Sequence, residues 1–375
     1  MRITLLNKYY YPHLGGIEYH VHDLGTALAA LPGSGVRAIV ANEGGDTVRE
    51  TVDGVEVTRL GRAFAYASTP VAFGMSRAIR AEATRQDPAD LIHLHFPYPW
   101  GETAWQLAHP RLPSVLTYHS DIVRQKALLA LYGPLLRRLL RRVDVVIASS
   151  PDMVEHSPYL REVADKCRVI PYGIHVERYA PTPEVTARAG QLRAGHGRPI
   201  VLFVGRLIYY KGPEFLARAM ADVDADLVMI GRGPLEPRLR ALADDLGIAG
   251  RVTFLPPQPD DELVAWYQAA DVFCLPSVAR SEAFGLVQLE AHASGTPVVS
   301  TRLMTSVPFV NQDGVTGLTV PPQDVGALAD ALRALVSDDA LRRRLGEQAR
   351  ERAWRDFTTE RMVRDTVRVY EQLLS

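Results

Sequence analysis

The sequence predicts an α/β protein of two doubly wound, Rossmann-like domains, and three observations predict it. Short apolar runs alternate with helix-patterned stretches through the first half of the chain. The same alternation returns in the second half, and a proline- and glycine-bearing segment separates the two. In the first half the apolar runs fall at 3–6, 36–41, 91–94, 115–118 and 145–148, with helix periodicity near 17–30, 71–86, 102–109 and 126–141. In the second half strands are expected at 200–204, 226–230, 251–255, 271–275 and 297–300, with helices between them. Pro171-Tyr172-Gly173 and Pro181-Thr182-Pro183 have the composition of a hinge and linker, which places the expected boundary between residues 172 and 173. Two helices near 339–355 and 358–374 close the chain, and neither a shorter internal repeat nor a low-complexity tract is present.

Composition narrows the function class. A chain of 375 residues, 47% hydrophobic and 23% charged, is too long for one comfortable core, so two domains are the default. A net charge of -1 provides no basic field, which argues against nucleic acid as a partner. Cys167 and Cys274 lie far apart, and no signal-peptide apolar region is visible, so a reducing cytoplasm is expected rather than a disulfide framework. No apolar run approaches the roughly 20 residues a bilayer span needs, so any membrane contact is expected to be peripheral.

Three glycine-bearing loops follow three expected strands, at the strand ends where open α/β sheets bind ligands. After 200–204 come Gly205-Arg206-Leu207 and Lys211-Gly212-Pro213, whose two cations suit a diphosphate: Arg206 as a planar fork and Lys211 as a point charge. After 226–230 comes Gly231-Arg232-Gly233-Pro234. The third stretch, 281–297, reads S-E-A-F-G-L-V-Q-L-E-A-H-A-S-G-T-P. There Gly285 allows a turn to approach a ligand, and the amides of Phe284, Gly285 and Leu286 open a helix whose positive end suits phosphate. Glu290 falls within that helix, placed to accept two ribose hydroxyls, and Glu282 lies on the entering loop. None of the loops is a G-x-G-x-x-G fingerprint or a Walker lysine motif, so hydride transfer and ATP hydrolysis lose ground.

Taken in order, Pro12-His13-Leu14-Gly15-Gly16-Ile17-Glu18, Thr117-Tyr118-His119-Ser120-Asp121, Gly205-Arg206-Leu207 with Lys211-Gly212, Gly231 to Pro234, and Glu282 with Glu290 resemble the family 4 retaining glycosyltransferases of GT-B architecture. The resemblance runs along essentially the whole chain and is nearest in flavour to the bacterial mannosyl/rhamnosyl group. Two departures stand out: Tyr172 where the family's turn usually has Asn, and 304–308 in place of a more glycine-rich stretch.

The resemblance implies two Rossmann-like domains with an interdomain cleft. Residues 1–172 would bind the acceptor, residues 173–357 the nucleotide-sugar donor, and the last helix, 358–375, would cross back onto the first domain. It implies that His119 helps position the donor sugar. Gly15 and Gly16, carried by the acceptor half, are grouped with the donor contacts Gly205, Gly231, Gly233, Phe284, Gly285, Leu286 and Glu290. Arg206, Lys211 and the helix amides would stabilise the leaving diphosphate without a metal or other cofactor. Glu282 would face the donor sugar. With no paired carboxylates in the acceptor half, a retaining front-face transfer is more economical than a glycosyl-enzyme. His93 and His95 share one strand face and would need His119 to make a metal set, but no carboxylate or cysteine completes it, so no metal is expected.

The expected activity is transfer of mannose from GDP-mannose to a glycan or lipid-linked acceptor in surface polysaccharide or glycolipid assembly, with a UDP-hexose donor close behind. A sugar-nucleotide epimerase, a glycogen-type phosphorylase or a nucleotide-sugar-binding regulator on the same scaffold are the alternatives; turnover that requires an acceptor separates them.

Residues 126–142 read K-A-L-L-A-L-Y-G-P-L-L-R-R-L-L-R-R. Such a stretch suits either an anionic membrane interface or a packed helix with a solvated basic face, and Gly133-Pro134 suggests a break into two short helices.

Overall fold

The computed structural model describes residues 1–13, 15–66, 69–122 and 126–375, without the side chains of 126–131. Leu14 of the first glycine motif and the side chains that open the basic helix lie outside the described residues. The chain forms two compact units, Met1–Tyr172 with Thr359–Ser375, and Gly173–Thr358.

The first unit contains β1 (Arg2–Leu6), β2 (Gly35–Ala41), β3 (Val48–Val52), β4 (Val55–Leu60), β5 (Phe64–Tyr66), β6 (Thr69–Val71), β7 (Leu91–Phe96), β8 (Ser114–Tyr118), β9 (Val145–Ala148) and β10 (Cys167–Val169). Eight of these make one sheet in the order β10-β9-β8-β7-β1-β2-β4-β3, parallel except for β3, while β5 and β6 pair as a separate antiparallel ribbon. Strands β7 and β8 are buried along their whole length, as expected of parallel strands covered on both faces.

Strands β3 and β4 escaped the sequence reading because β3 is an exposed, charged edge strand and β4 interleaves polar residues with its buried Val55 and Val57. Their two-residue turn, Asp53-Gly54, with positive φ at both positions, is nevertheless a hairpin signal visible in the sequence. The helix expected at 71–86 is shorter, Met75–Glu82, because Thr69-Pro70-Val71 pairs as β6.

The basic segment is one helix, Lys126–Arg142, that runs through Gly133 and Pro134 without the expected break. Packing overrides the local signal there, since Leu136, Leu139 and Leu140 are fully buried. Arg137 pairs with Glu162 at 2.8 Å, and Arg142 donates to the Gln106 carbonyl at 2.9 Å above the Trp105 ring. Those leucines are therefore committed to the protein interior. Any membrane surface would meet the exposed guanidiniums of Arg138 and Arg141 rather than this row of leucines. The last helix, Thr359–Leu374, places Met362, Val363, Val369 and Tyr370 in the core built on β1 and β2.

The second unit contains β11 (Ile200–Val204), β12 (Asp226–Ile230), β13 (Val252–Leu255), β14 (Val272–Leu275), β15 (Val298–Thr301) and β16 (Gly317–Val320), all parallel, in the order β13-β12-β11-β14-β15-β16. β11 shows why an all-apolar run is required: Val201 and Phe203 enter one core, Ile200, Leu202 and Val204 the other. The chain winds outward from β11 to β13, then returns to β14 on the other side of β11. The strand order thus reverses between β11 and β14, a switch point of the kind at which open α/β sheets bind ligands.

Candidate functional site

In the second unit the expected residues converge on that switch point. The loops after β11 and β12 are joined through their backbones: Gly205 N–H donates to Ile230 O at 2.9 Å, and Leu207 N–H to Arg232 O at 3.0 Å. Gly231, with φ +142°, lies so close that a Cβ would sit 2.1 Å from Gly205 O, and a Cβ at Gly233 would sit 2.2 Å from Leu207 O. These two glycines, expected to admit a ligand, thus admit a neighbouring backbone.

Lys211 closes a short turn after β11, and Glu282 stands on the loop after β14. The two meet at 2.6 Å between Nζ and Oε2, with side chains only 13% and 8% exposed. Ser277 Oγ donates to the same carboxylate oxygen at 3.0 Å, and Val278 N–H ties the two loops together through Tyr210 O at 2.8 Å. Burial disfavours the Lys211 ammonium, but Glu282 outweighs burial and holds its pKa above the ordinary lysine value, so Lys211 is charged. Glu282, expected to face a sugar, gives one carboxylate oxygen to the lysine and holds it charged. Arg206 is exposed and has no ion-pair partner among the described residues.

The helix Leu286–Ala293 begins beside this pair, with Gly285 as its N-terminal cap at φ +75°. A Cβ at Gly285 would lie 2.7 Å from Leu275 Cδ2, so the turn needs glycine both for its backbone angle and for space. Phe284 is buried, 6.3 Å from Phe357 between ring centroids, and its carbonyl accepts the Gln288 side-chain amide at 2.7 Å; its side chain is packing. Glu290 lies one turn into the helix, where the Tyr267 hydroxyl donates to its Oε2 at 2.6 Å. Burial raises the Glu290 pKa, and the Tyr267 bond works against that rise. One oxygen of Glu290, the residue expected to accept two ribose hydroxyls, is thus already engaged by a neighbouring phenol. Ser277 and Tyr267 were missed because a lone hydroxyl carries no spacing signal.

The first unit holds the remaining residues. Gly15 caps the helix Gly16–Ala29, its carbonyl accepting Tyr19 N–H at 2.9 Å, and the Glu18 carboxylate folds back over it. His119 follows β8 and is 4% exposed. Its Nδ1 lies 2.6 Å from the Tyr172 hydroxyl and its Nε2 lies 3.0 Å from His95 Nδ1. Both ring nitrogens are therefore occupied, and contact with a sugar requires exchange of one partner. The atypical Tyr172 has a physical role here, since its phenol reaches the imidazole. His93 does not join His95 and His119: its nitrogens are taken by the Tyr370 hydroxyl at 2.6 Å and Thr117 Oγ1 at 2.7 Å. His20, from the first helix, takes that place, its ring centroid 5.1 Å from that of His119.

Residues 14–178 match the family model described as Glycosyltransferase Family 4, and residues 186–352 match that of Glycosyl transferases group 1. Over 375 residues the chain is 34% identical to O-antigen chain mannosyltransferase C of Escherichia coli, covering 100% of this chain and 99% of that protein. The chain belongs to the family 4 glycosyltransferases. This glycosyltransferase is also 39% identical over 270 residues to D-rhamnosyltransferase WbpZ of Pseudomonas aeruginosa, covering 72% of this chain and 70% of that one. The solved structure of sucrose-phosphate synthase from Thermosynechococcus elongatus superposes with a TM-score of 0.81 at 29% identity, over 99% of this chain and 98% of that one. The architecture is GT-B, with two Rossmann-like units. Among the described residues no helix is long and apolar enough to cross a membrane.

Proposed function

We propose that this glycosyltransferase moves a hexose, with retention of configuration, from a nucleotide sugar to a glycan or lipid-linked acceptor in surface polysaccharide assembly on the cytoplasmic side of the membrane. GDP-mannose is the first donor choice. The observation that carries the reading is the buried Lys211–Glu282 pair at the switch point of the second unit, beside the opening of the helix Leu286–Ala293. A fixed ammonium, the Arg206 fork and the helix amides supply positive potential where a diphosphate leaving group gains charge, the task a divalent cation performs in other enzymes. Similarity to a mannosyltransferase and a rhamnosyltransferase supports the GDP-sugar choice; a UDP-hexose is the second reading.

A thermal-shift comparison of GDP, UDP, dTDP and ADP tests the donor. At about 100 times its dissociation constant the cognate nucleotide is expected to stabilise the protein by roughly 2.7 kcal/mol. A preference for UDP would move the assignment to the second reading. EDTA is expected not to lower the transfer rate; a loss restored by Mg²⁺ or Mn²⁺ would overturn the metal-free chemistry.

Glu290 is assigned to the ribose through the oxygen that Tyr267 leaves open. Such a contact is present in ground state and transition state alike. Glu290→Gln is therefore expected to raise KM for the donor and weaken free nucleoside diphosphate by about 1.5–3 kcal/mol per charged hydrogen bond lost, with kcat little changed. Unaltered nucleotide affinity in calorimetric titration would remove Glu290 from the donor site.

A further inference from the structure

The first unit gathers four imidazoles in its interior. His93 is fully engaged, and of the other three His20 and His95 each keep a buried nitrogen without a partner. One ring nitrogen from each of His20, His95 and His119 lies within 4.8 Å of the others. His95 Nδ1 and His119 Nε2 face each other at 3.0 Å, and His20 Nε2 and His95 Nε2 are buried without a hydrogen-bond partner. Buried polar atoms are ordinarily satisfied, so two orphaned nitrogens within a trio whose ring nitrogens approach to within 4.8 Å point to a ligand that takes lone pairs.

We propose that His20, His95 and His119 form a binding site for a divalent transition-metal cation of the zinc class. Neutral imidazole is the form that binds metal. The trio offers nitrogen alone, which suits zinc, nickel, copper or iron and disfavours the oxygen-seeking magnesium and calcium. Zinc–nitrogen bonds of about 2.0–2.1 Å set tetrahedral ligands about 3.3 Å apart, close to the spacing of the His95 and His119 nitrogens. The Tyr172 hydroxyl on His119 Nδ1 is the outer partner that fixes a metal-binding ring in orientation. The three ligands come from the first helix, β7 and the residue after β8, all within the first unit. His119 is also the residue assigned to the donor sugar, so an occupied site is inhibitory; that consequence, unlike the binding itself, rests on the proposed function.

Untagged full-length protein, stripped by a chelator and titrated with Co²⁺, tests the site. Visible ligand-field bands are expected to saturate at a one-to-one ratio and to vanish on addition of Zn²⁺. His20→Gln and, separately, His95→Gln are expected to abolish them, while Tyr172→Phe keeps the bands with about 10–100-fold weaker affinity. His156→Gln, in the group formed with Asp152 and Glu155, is expected to change nothing. Absence of bands in the wild type, their survival in both histidine variants, or their loss in His156→Gln would overturn the site. Zn²⁺ at saturating concentration is expected to slow transfer reversibly; full-speed transfer by a loaded enzyme would overturn the inhibitory role.

Discussion

Lys211→Ala is expected to lower kcat by about 10² to 10³, with a smaller effect on the affinity for free nucleoside diphosphate. The ammonium is buried and held charged by Glu282, so it stands ready when the leaving diphosphate gains charge and needs no reorganisation at that moment. The substitution also strands a buried carboxylate with Ser277 as its remaining partner, and breaking such a pair costs about 3–5 kcal/mol of stability. Melting curves taken beside the kinetics separate the two effects. Glu282→Gln is expected to share the kinetic loss, since the lysine then loses the partner that aims it. Wild-type turnover by folded Lys211→Ala would remove the lysine from the chemistry.

Acidification is expected to unfold the first unit through its buried histidines. Burial pushes His93 down to about 3 and His20 to about 4, with His95 and His119 also well below the ordinary value near 6.5. Between those values the unfolded chain binds protons that the native chain refuses, so stability is fully present above pH 6.5 and is lost as pH falls toward 3. Each pH unit across that window costs about 1.4 kcal/mol per imidazole, so His20 and His93 alone remove on the order of several kcal/mol. Glu102 acts in the opposite sense: burial raises its pKa to about 8, so its contribution declines as pH rises from about 4.5 to 8. Melting temperature measured from pH 7.5 to 4 checks the first effect, and His93→Gln is expected to flatten the acid limb. An unchanged slope in that variant would assign acid lability to other groups.

Much of the second unit was legible from local patterns. An all-apolar pentad such as 200–204 has one comfortable place, the middle of a parallel sheet, and β11 and β12 lie where the sequence put them. The edge elements were harder. β16 and the β3–β4 hairpin pair at sheet margins, where few apolar positions are required and the periodic signal thins. The basic helix shows the limit from the other side, since Gly133-Pro134 locally argues for a break that three buried leucines override.

The sequence by itself determined the alternating α/β plan and the glycine-bearing loops after β11 and β12 with the cations they carry. These are properties of neighbours along the chain, where spacing and chemistry can be read together. Only the tertiary structure decided which charges meet. Lys211 and Glu282 are 71 residues apart in number and 2.6 Å apart in space because strand order brings the ends of β11 and β14 side by side. The same closure put His20 beside His95 and His119 while Tyr370 claimed His93, a choice made by sheet topology and by a helix that returns from the far end of the chain.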